Sequence, residues 1–128
     1  MNIKDGYFYT KEHEWVKIDG KKAKIGISDY AQHKLGDITY VDIPAKGKEA
    51  KQFAVIAGIE SVKAASDIFA PVSCKVISGN TALENAPDLV NKAPYEDGWI
   101  AEIEVKDASE TKNLMDAKTY ENFVKGLE

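Results

Sequence analysis

The sequence predicts a mostly β domain carrying a few short helices. Three observations predict it. Short segments alternate apolar and polar residues with a period of two, turn signals (Gly, Pro, Asp-Gly) separate them, and the clearest apolar stripe at helical spacing falls in the last dozen residues. At 128 residues, with 44% hydrophobic and 30% charged, the chain has the size and balance of one globular domain with one core.

The elements follow in chain order. Glu14-Trp15-Val16-Lys17-Ile18 and Lys22 to Ile27 alternate as two strands, with Asp19-Gly20 as the turn between them. Ser28 or Asp29 can cap a short helix through Leu35, which Gly36 ends. Asp37 to Ile43 alternates again and stops at Pro44. Phe53 to Ile59 is almost wholly apolar, as a strand covered on both faces would be. Val72, Cys74 and Val76 share one face of the next strand. Pro87 opens a single-turn helix running to Lys92. Trp99, Ala101, Ile103 and Val105 share one face of the last strand, with Glu102 and Glu104 opposite. From Asp116, the residues Ala117, Tyr120, Phe123, Val124 and Leu127 recur at helical spacing, so a C-terminal amphipathic helix over about 116–127 packs on the sheets. No low-complexity linker interrupts the chain, and residues 1–128 read as a single domain.

Composition excludes several functions. Seventeen lysines, no arginine and 21 acids give a net charge of −4. Residues 1–64 hold 11 lysines against 9 acids, whereas residues 65–128 hold 6 against 12. Nucleic acids and anionic membranes call for a basic surface, and arginine is the usual bidentate phosphate ligand, so neither is expected as a partner. Cys74 is the lone cysteine, which allows no internal disulfide and no structural zinc site, and no metal is expected. The first residues lack the apolar run of a signal peptide, and Phe53 to Ile59 is too short to span a bilayer, so a cytoplasmic protein is expected.

The informative stretch is Gly58 to Val72, two apolar runs around a small polar centre with a single lysine, Lys63. That arrangement projects an amine from the tip of a hairpin. Ser61, Ala64, Ala65 and Ser66 leave the tip uncluttered, and strands on both sides hold it rigidly. Reach and rigidity together suit a lysine that another enzyme modifies.

Glu60-Ser61-Val62-Lys63-Ala64, followed by Ser66-Asp67 and Ala70-Pro71-Val72-Ser73, resembles the lipoylation site of the glycine cleavage H-protein family. Tyr9 to Val16 resembles that family's opening motif, Gly26 to Gln32 with Leu35 to Ile38 its first helix and following strand, and Asn91 to Trp99 the segment before its last strand. The resemblance runs from about residue 7 to residue 124. It implies a barrel-sandwich hybrid fold, lipoyl-domain-like, and lipoic acid in amide linkage on Lys63. It also implies a carrier rather than an enzyme. In the family a pyridoxal-phosphate glycine decarboxylase loads an aminomethyl group onto the arm, an aminomethyltransferase passes the carbon to tetrahydrofolate, and dihydrolipoamide dehydrogenase reoxidises the dithiol. A monomer visiting these enzymes in turn is expected.

Two demands follow from that chemistry. An arm bearing an ammonium that is prone to hydrolysis needs a water-excluding cleft with carboxylates, and Glu14 and Asp67 are the matching residues. Glu12 joins them if its segment is a strand, since it would then share a face with Glu14. A lipoylating enzyme must also choose one lysine among 17, so Glu60, Ser61, Val62 and Ala64 are expected to matter at the tip. His13 and His33 are singletons: His13 is expected to pack or hydrogen-bond locally and His33 to be exposed. Trp15 and Trp99 read as packing anchors, and Tyr30 as a helix-face residue without evident chemistry.

Two departures from the resemblance stand out. Cys74 occupies a usual glycine position, either in ordinary β backbone or under tolerated strain, and reads better as a buried structural thiol than as a redox group. Ala50 and Phe53 stand where the family tends to have valine and a turn glycine, so that loop is expected to differ in shape. Three rival readings compete with the shuttle. Val62 and Ala64 flank the lysine where a biotin carrier would have methionines. A Schiff-base lysine would be buried to lower its pKa, which a hairpin tip does not allow. A lipoate relay serving other carriers without glycine turnover also requires Lys63, and the residues do not separate it from the shuttle.

Overall fold

Alternating strands joined by tight turns build two antiparallel sheets. A computed structural model describes residues 2–127; Met1 and Glu128, the ends of the expected domain, lie outside the described residues. The strands are β1 (Phe8–Tyr9), β2 (Glu14–Asp19), β3 (Lys22–Ile27), β4 (Ile38–Asp42), β5 (Glu49–Ala50), β6 (Val55–Ser61), β7 (Ala65–Phe69), β8 (Cys74–Gly79) and β9 (Ala101–Val105). The helices are α1 (Asp29–Leu35), α2 (Ala82–Asn85), α3 (Leu89–Lys92) and α4 (Ala117–Lys125), with a 3₁₀ turn over Ala108–Asn113. One sheet has the order β1-β2-β3-β9-β8-β5 and the other β4-β6-β7. The expected fold class holds as two stacked sheets rather than one closed barrel.

The caps act as the sequence indicates. Ser28 takes the extended conformation of an N-cap, and its Oγ accepts the Ala31 N–H at 3.1 Å. Gly36, at φ +81°, ends α1 in the left-handed region. Asp116 accepts the Thr119 N–H at 2.8 Å and starts α4.

An aliphatic core that includes Val16, Ile25, Ile56, Ile68, Val76 and Ile103 lies between the sheets. Beside it, Tyr9, Trp15, Tyr30, Tyr95 and Tyr120 form an aromatic cluster under α4, with Tyr9 stacked on Tyr120 at 4.3 Å. Trp15 faces Gly26 across the β2–β3 ladder and donates its indole N–H to the Pro94 carbonyl at 3.0 Å. Trp99 is only partly buried and precedes β9.

Three expectations change. α3 starts at Leu89 with Asp88 as its N-cap, so Pro87 precedes the helix and does not open it. The apolar run at residues 53–59 becomes strand only from Val55, and Phe53 and Val55 are half-exposed, so it is covered on both faces only further along. Elements without a period of their own (β1, β5, α2 and the 3₁₀ turn) arise from tertiary pairing, as where Tyr9 and Met115 exchange backbone hydrogen bonds of 2.8 and 2.9 Å. Among the described residues no helix is long and apolar enough to cross a membrane.

The Trp15–Gly26 contact yields a stability test. A Cβ on Gly26 would lie 2.6 Å from the indole, closer than packing tolerates. Gly26→Ala is expected to destabilise the fold by about 2 kcal/mol through overpacking. An unchanged urea midpoint would contradict this account of the indole's seat.

Candidate functional site

The β6–β7 hairpin pairs Glu60 with Ala65 and turns over Ser61 to Ala64. The Ser61 N–H donates to the Ala64 carbonyl at 2.8 Å, and Ser61 Oγ accepts the N–H groups of Lys63 and Ala64, both at 3.2 Å. One hydroxyl thus satisfies two of the amides the tight turn leaves over. The Val62 N–H donates to the Asp37 carbonyl at 3.0 Å and ties the tip to the start of β4, while the Val62 side chain is 66% exposed. Lys63 is exposed. Its Cδ and Cε run over Gly36, where a Cβ would sit 3.4 Å from Lys63 Cε. Gly36 therefore serves twice, as the left-handed stop of α1 and as the open face over which the lysine stem leaves.

Next to this tip lies a cleft of about 320 Å³ between the His13-Glu14 corner, α1 and the Ser66–Ile68 stretch of β7. It brings Glu12, Glu14 and Asp67 into one place, although they come from different elements. Glu12 reaches it from a turn rather than from a strand, so the shared strand face expected for Glu12 and Glu14 does not exist. Asp67 is exposed on β7. Glu14 is only 2% exposed. Its carboxyl accepts the Thr10 hydroxyl proton and, at 3.0 Å, the Phe69 N–H, while its own N–H donates to Thr10 Oγ1 at 3.1 Å. Burial pushes this carboxyl up to about 7, against the opposing pull of those hydrogen bonds.

His13 stands at φ +72°, a conformation unusual for a residue with a Cβ. Its partner is not local: His13 Nδ1 lies 2.8 Å from the Tyr120 hydroxyl, which lies 2.7 Å from Ser28 Oγ. Ser28 Oγ also accepts the Ala31 N–H, so His13, Tyr120 and Ser28 form one hydrogen-bonded chain that ends on the N-cap of α1. Burial holds His13 below its ordinary range, which favours the neutral ring. The C-terminal helix thereby braces the corner that carries Glu12 and Glu14. His33 is exposed, as expected.

Tyr30, which the sequence marks only as a helix-face residue without evident chemistry, lines the cleft together with Lys34, which it does not mark at all. Their spacing of four along α1 places both on one helix face, which was the available signal. Cys74 is buried in β8 with ordinary backbone, and burial pushes its thiol up to about 11, so it is an inert packing group. The left-handed strain falls instead on Phe53, at φ +67°.

The buried carboxyl has a pH signature. Between its ordinary 4.5 and about 7, the folded chain keeps a proton on Glu14 that the unfolded chain has released, so stability falls as pH rises through that window. Raising the pH from 5 to 8 is expected to remove about 2 kcal/mol through this group, and Glu14→Gln to flatten the profile. Denaturant titrations of both proteins with parallel pH profiles would refute the assignment.

Known proteins match this chain closely. The family model described as "Glycine cleavage H-protein" matches residues 7–127. The chain is 48% identical over 124 residues to the glycine cleavage system H protein of Thermoanaerobacter sp. (strain X514), covering 97% of this chain and 98% of that one. It is 47% identical over 115 residues to the Thermotoga maritima protein of the same name, covering 90% and 93%. The crystal structure of a glycine cleavage system H protein from Mycobacterium marinum superposes with a TM-score of 0.88 at 29% identity, covering 96% of this chain and 99% of that one. With a full-length family match joined to this hairpin and fold, the chain belongs to the glycine cleavage H-protein family.

Proposed function

We propose that this chain is the lipoyl-bearing shuttle of the glycine cleavage system, with Lys63 as the attachment point. The observation that carries the reading is the placement of Lys63 on a hydroxyl-clamped turn, its stem over Gly36 and a three-carboxylate cleft beside it. The residues fit a lipoyl group. The amine is accessible, the Gly36 face leaves a path for a stem, and the cleft beside it offers about 320 Å³. Bound there, the group would supply a disulfide that accepts the aminomethyl unit and is later regenerated by oxidation.

The chain's own residues bind and shield. Asp67 and, at the turn, Glu12 present exposed carboxylates to an ammonium, and Glu14 backs them with a buried carboxyl that a nearby cation would favour in its ionised form. Ile27, Leu35 and Ile68 give the cleft apolar walls that keep water off. Glu60, Ser61, Val62 and Ala64 form the tip a lipoylating enzyme would read. The partners in this reading are glycine decarboxylase, aminomethyltransferase and dihydrolipoamide dehydrogenase. The protein acts as a cytoplasmic monomer, in keeping with its acidic charge and single buried thiol. It is a carrier, and it catalyses none of these steps.

Intact-mass analysis of protein from lipoate-replete cells is expected to show a single lipoyl adduct that Lys63→Arg abolishes. Glycine–bicarbonate exchange with a glycine decarboxylase is expected to fall to background in the same variant. An unmodified chain that still supports exchange would overturn the reading; full lipoylation without exchange would turn it to a lipoate relay. Asp67→Ala is expected to speed loss of the bound aminomethyl unit while lipoylation stays normal, and unchanged release rates would remove Asp67 from the cleft's work.

A further inference from the structure

A second hollow, of about 470 Å³, opens beside the arm cleft and shares Glu12 with it. Its interior is apolar, with Tyr9, Phe53, Phe69, Leu114 and Met115 around it. We propose that this hollow is a docking socket for an apolar side chain flanked by a carboxylate, presented by one of the enzymes that work on the arm. The proposal rests on the shuttle reading above and adds a partner-binding surface to it.

Phe53 is the first argument. Left-handed backbone costs a residue with a Cβ about 1–2 kcal/mol, whereas glycine would hold the same turn freely. Phe53 nevertheless remains 49% exposed, so about half of the ring is left for contacts outside the chain. A strained aromatic held at a cavity mouth indicates use outside the fold.

The hollow is also built in advance, which lowers the entropy lost on binding. The Phe53 N–H donates to the Ala70 carbonyl at 2.7 Å and the Ala70 N–H to the Ala54 carbonyl at 2.8 Å. Gln52 Nε2 donates to the Pro71 and Glu110 carbonyls, both at 3.0 Å, and Asn113 Nδ2 donates to Gln52 Oε1 at 3.0 Å. One glutamine thus fastens the Phe53 loop to the opposite wall.

Charge selects the occupant. Lys11 and Lys112 are exposed at the rim of a protein whose net charge is −4, and among the described residues neither lies in an ion pair. Two ammoniums against the one exposed carboxylate of Glu12 leave the rim net positive, which suits an apolar anchor next to a carboxylate. Val55, paired with Phe69 and half-exposed, extends the apolar surface. Phe69 forms a wall of the hollow and gives its N–H to Glu14, so an enzyme seated there stands next to the arm cleft.

Phe53→Gly relieves strain and removes the aromatic in one step, so it tests the socket without endangering the fold. Binding of the unlipoylated and lipoylated full chain to each of the three enzymes is measured by calorimetry. The expected result is unchanged lipoylation, an equal or higher melting temperature, and binding to at least one enzyme weakened about tenfold in both forms. Lys11→Glu with Lys112→Glu is expected to weaken the same enzyme and to flatten its salt dependence. Should Phe53→Gly unfold, this exposed pair carries the test alone. Binding to all three enzymes within twofold of the parent chain would overturn the socket. So would self-association lost in Phe53→Gly, which would make a second copy the occupant. A parent chain that is lipoylated yet supports no exchange rejects the shuttle reading instead, so the two failures are distinguishable.

Discussion

The buried carboxyl of Glu14 is the constraint on which the arrangement depends. It stands at the first residue of β2 in the six-stranded sheet and takes the N–H of Phe69 at the end of β7 in the three-stranded one. A carboxyl out of water without partners would cost several kcal/mol, and the Thr10 hydroxyl and Phe69 amide offset part of that cost. The pairing fixes where the β6–β7 hairpin lies relative to the opening turn. The position of Lys63, at the other end of that hairpin, follows from it. Glu14 is therefore a structural clamp and the buried wall of the cleft at once.

Rigidity and access are divided between residues at the tip. Ser61 holds the turn by accepting two amides, Val62 ties it to Asp37, and Lys63 is left with a free stem over a glycine. The opposite corner of the cleft is strained at His13 and braced from the C-terminal helix through Tyr120 and Ser28. Residues nearly a hundred positions apart thus shape one cleft, which is why the helix belongs to the site as well as to the core.

Much of this was legible in the sequence because local rules governed it. The Asp19-Gly20 turn, the Ser28 and Gly36 caps, the Val72, Cys74 and Val76 face and the C-terminal stripe each carry their own signal. The exposed place of Lys63 on a hairpin tip is legible from its small neighbours between apolar strands. The remainder depends on partners distant in the chain. Two-residue strands such as β1 exist through distant partners: Phe8 and Tyr9 pair with Val16 and Trp15 of β2, and Met115 bridges to Tyr9. The turn at Glu12 is invisible to alternation, which reads Glu12 and Glu14 as one strand face. Lys34 and Tyr30 enter the cleft because α1 and β7 line it together, an arrangement no local pattern encodes. Phe53 marked itself as a departure, but only its positive φ shows what it costs.

Under the proposed function, a preformed cleft beside Lys63 receives the arm and places its cationic end against Glu14 and Asp67. Amide NMR shifts compared between the unmodified chain and the lipoylated chain incubated with decarboxylase and glycine test this most directly. The account predicts the largest changes at the Phe69 amide, which reports on the Glu14 carboxyl, and at Thr10, Lys34 and Asp67. Changes confined to Val62, Lys63 and Ala64, with the Phe69 amide unmoved, would mean an arm that stays in solvent and would contradict it.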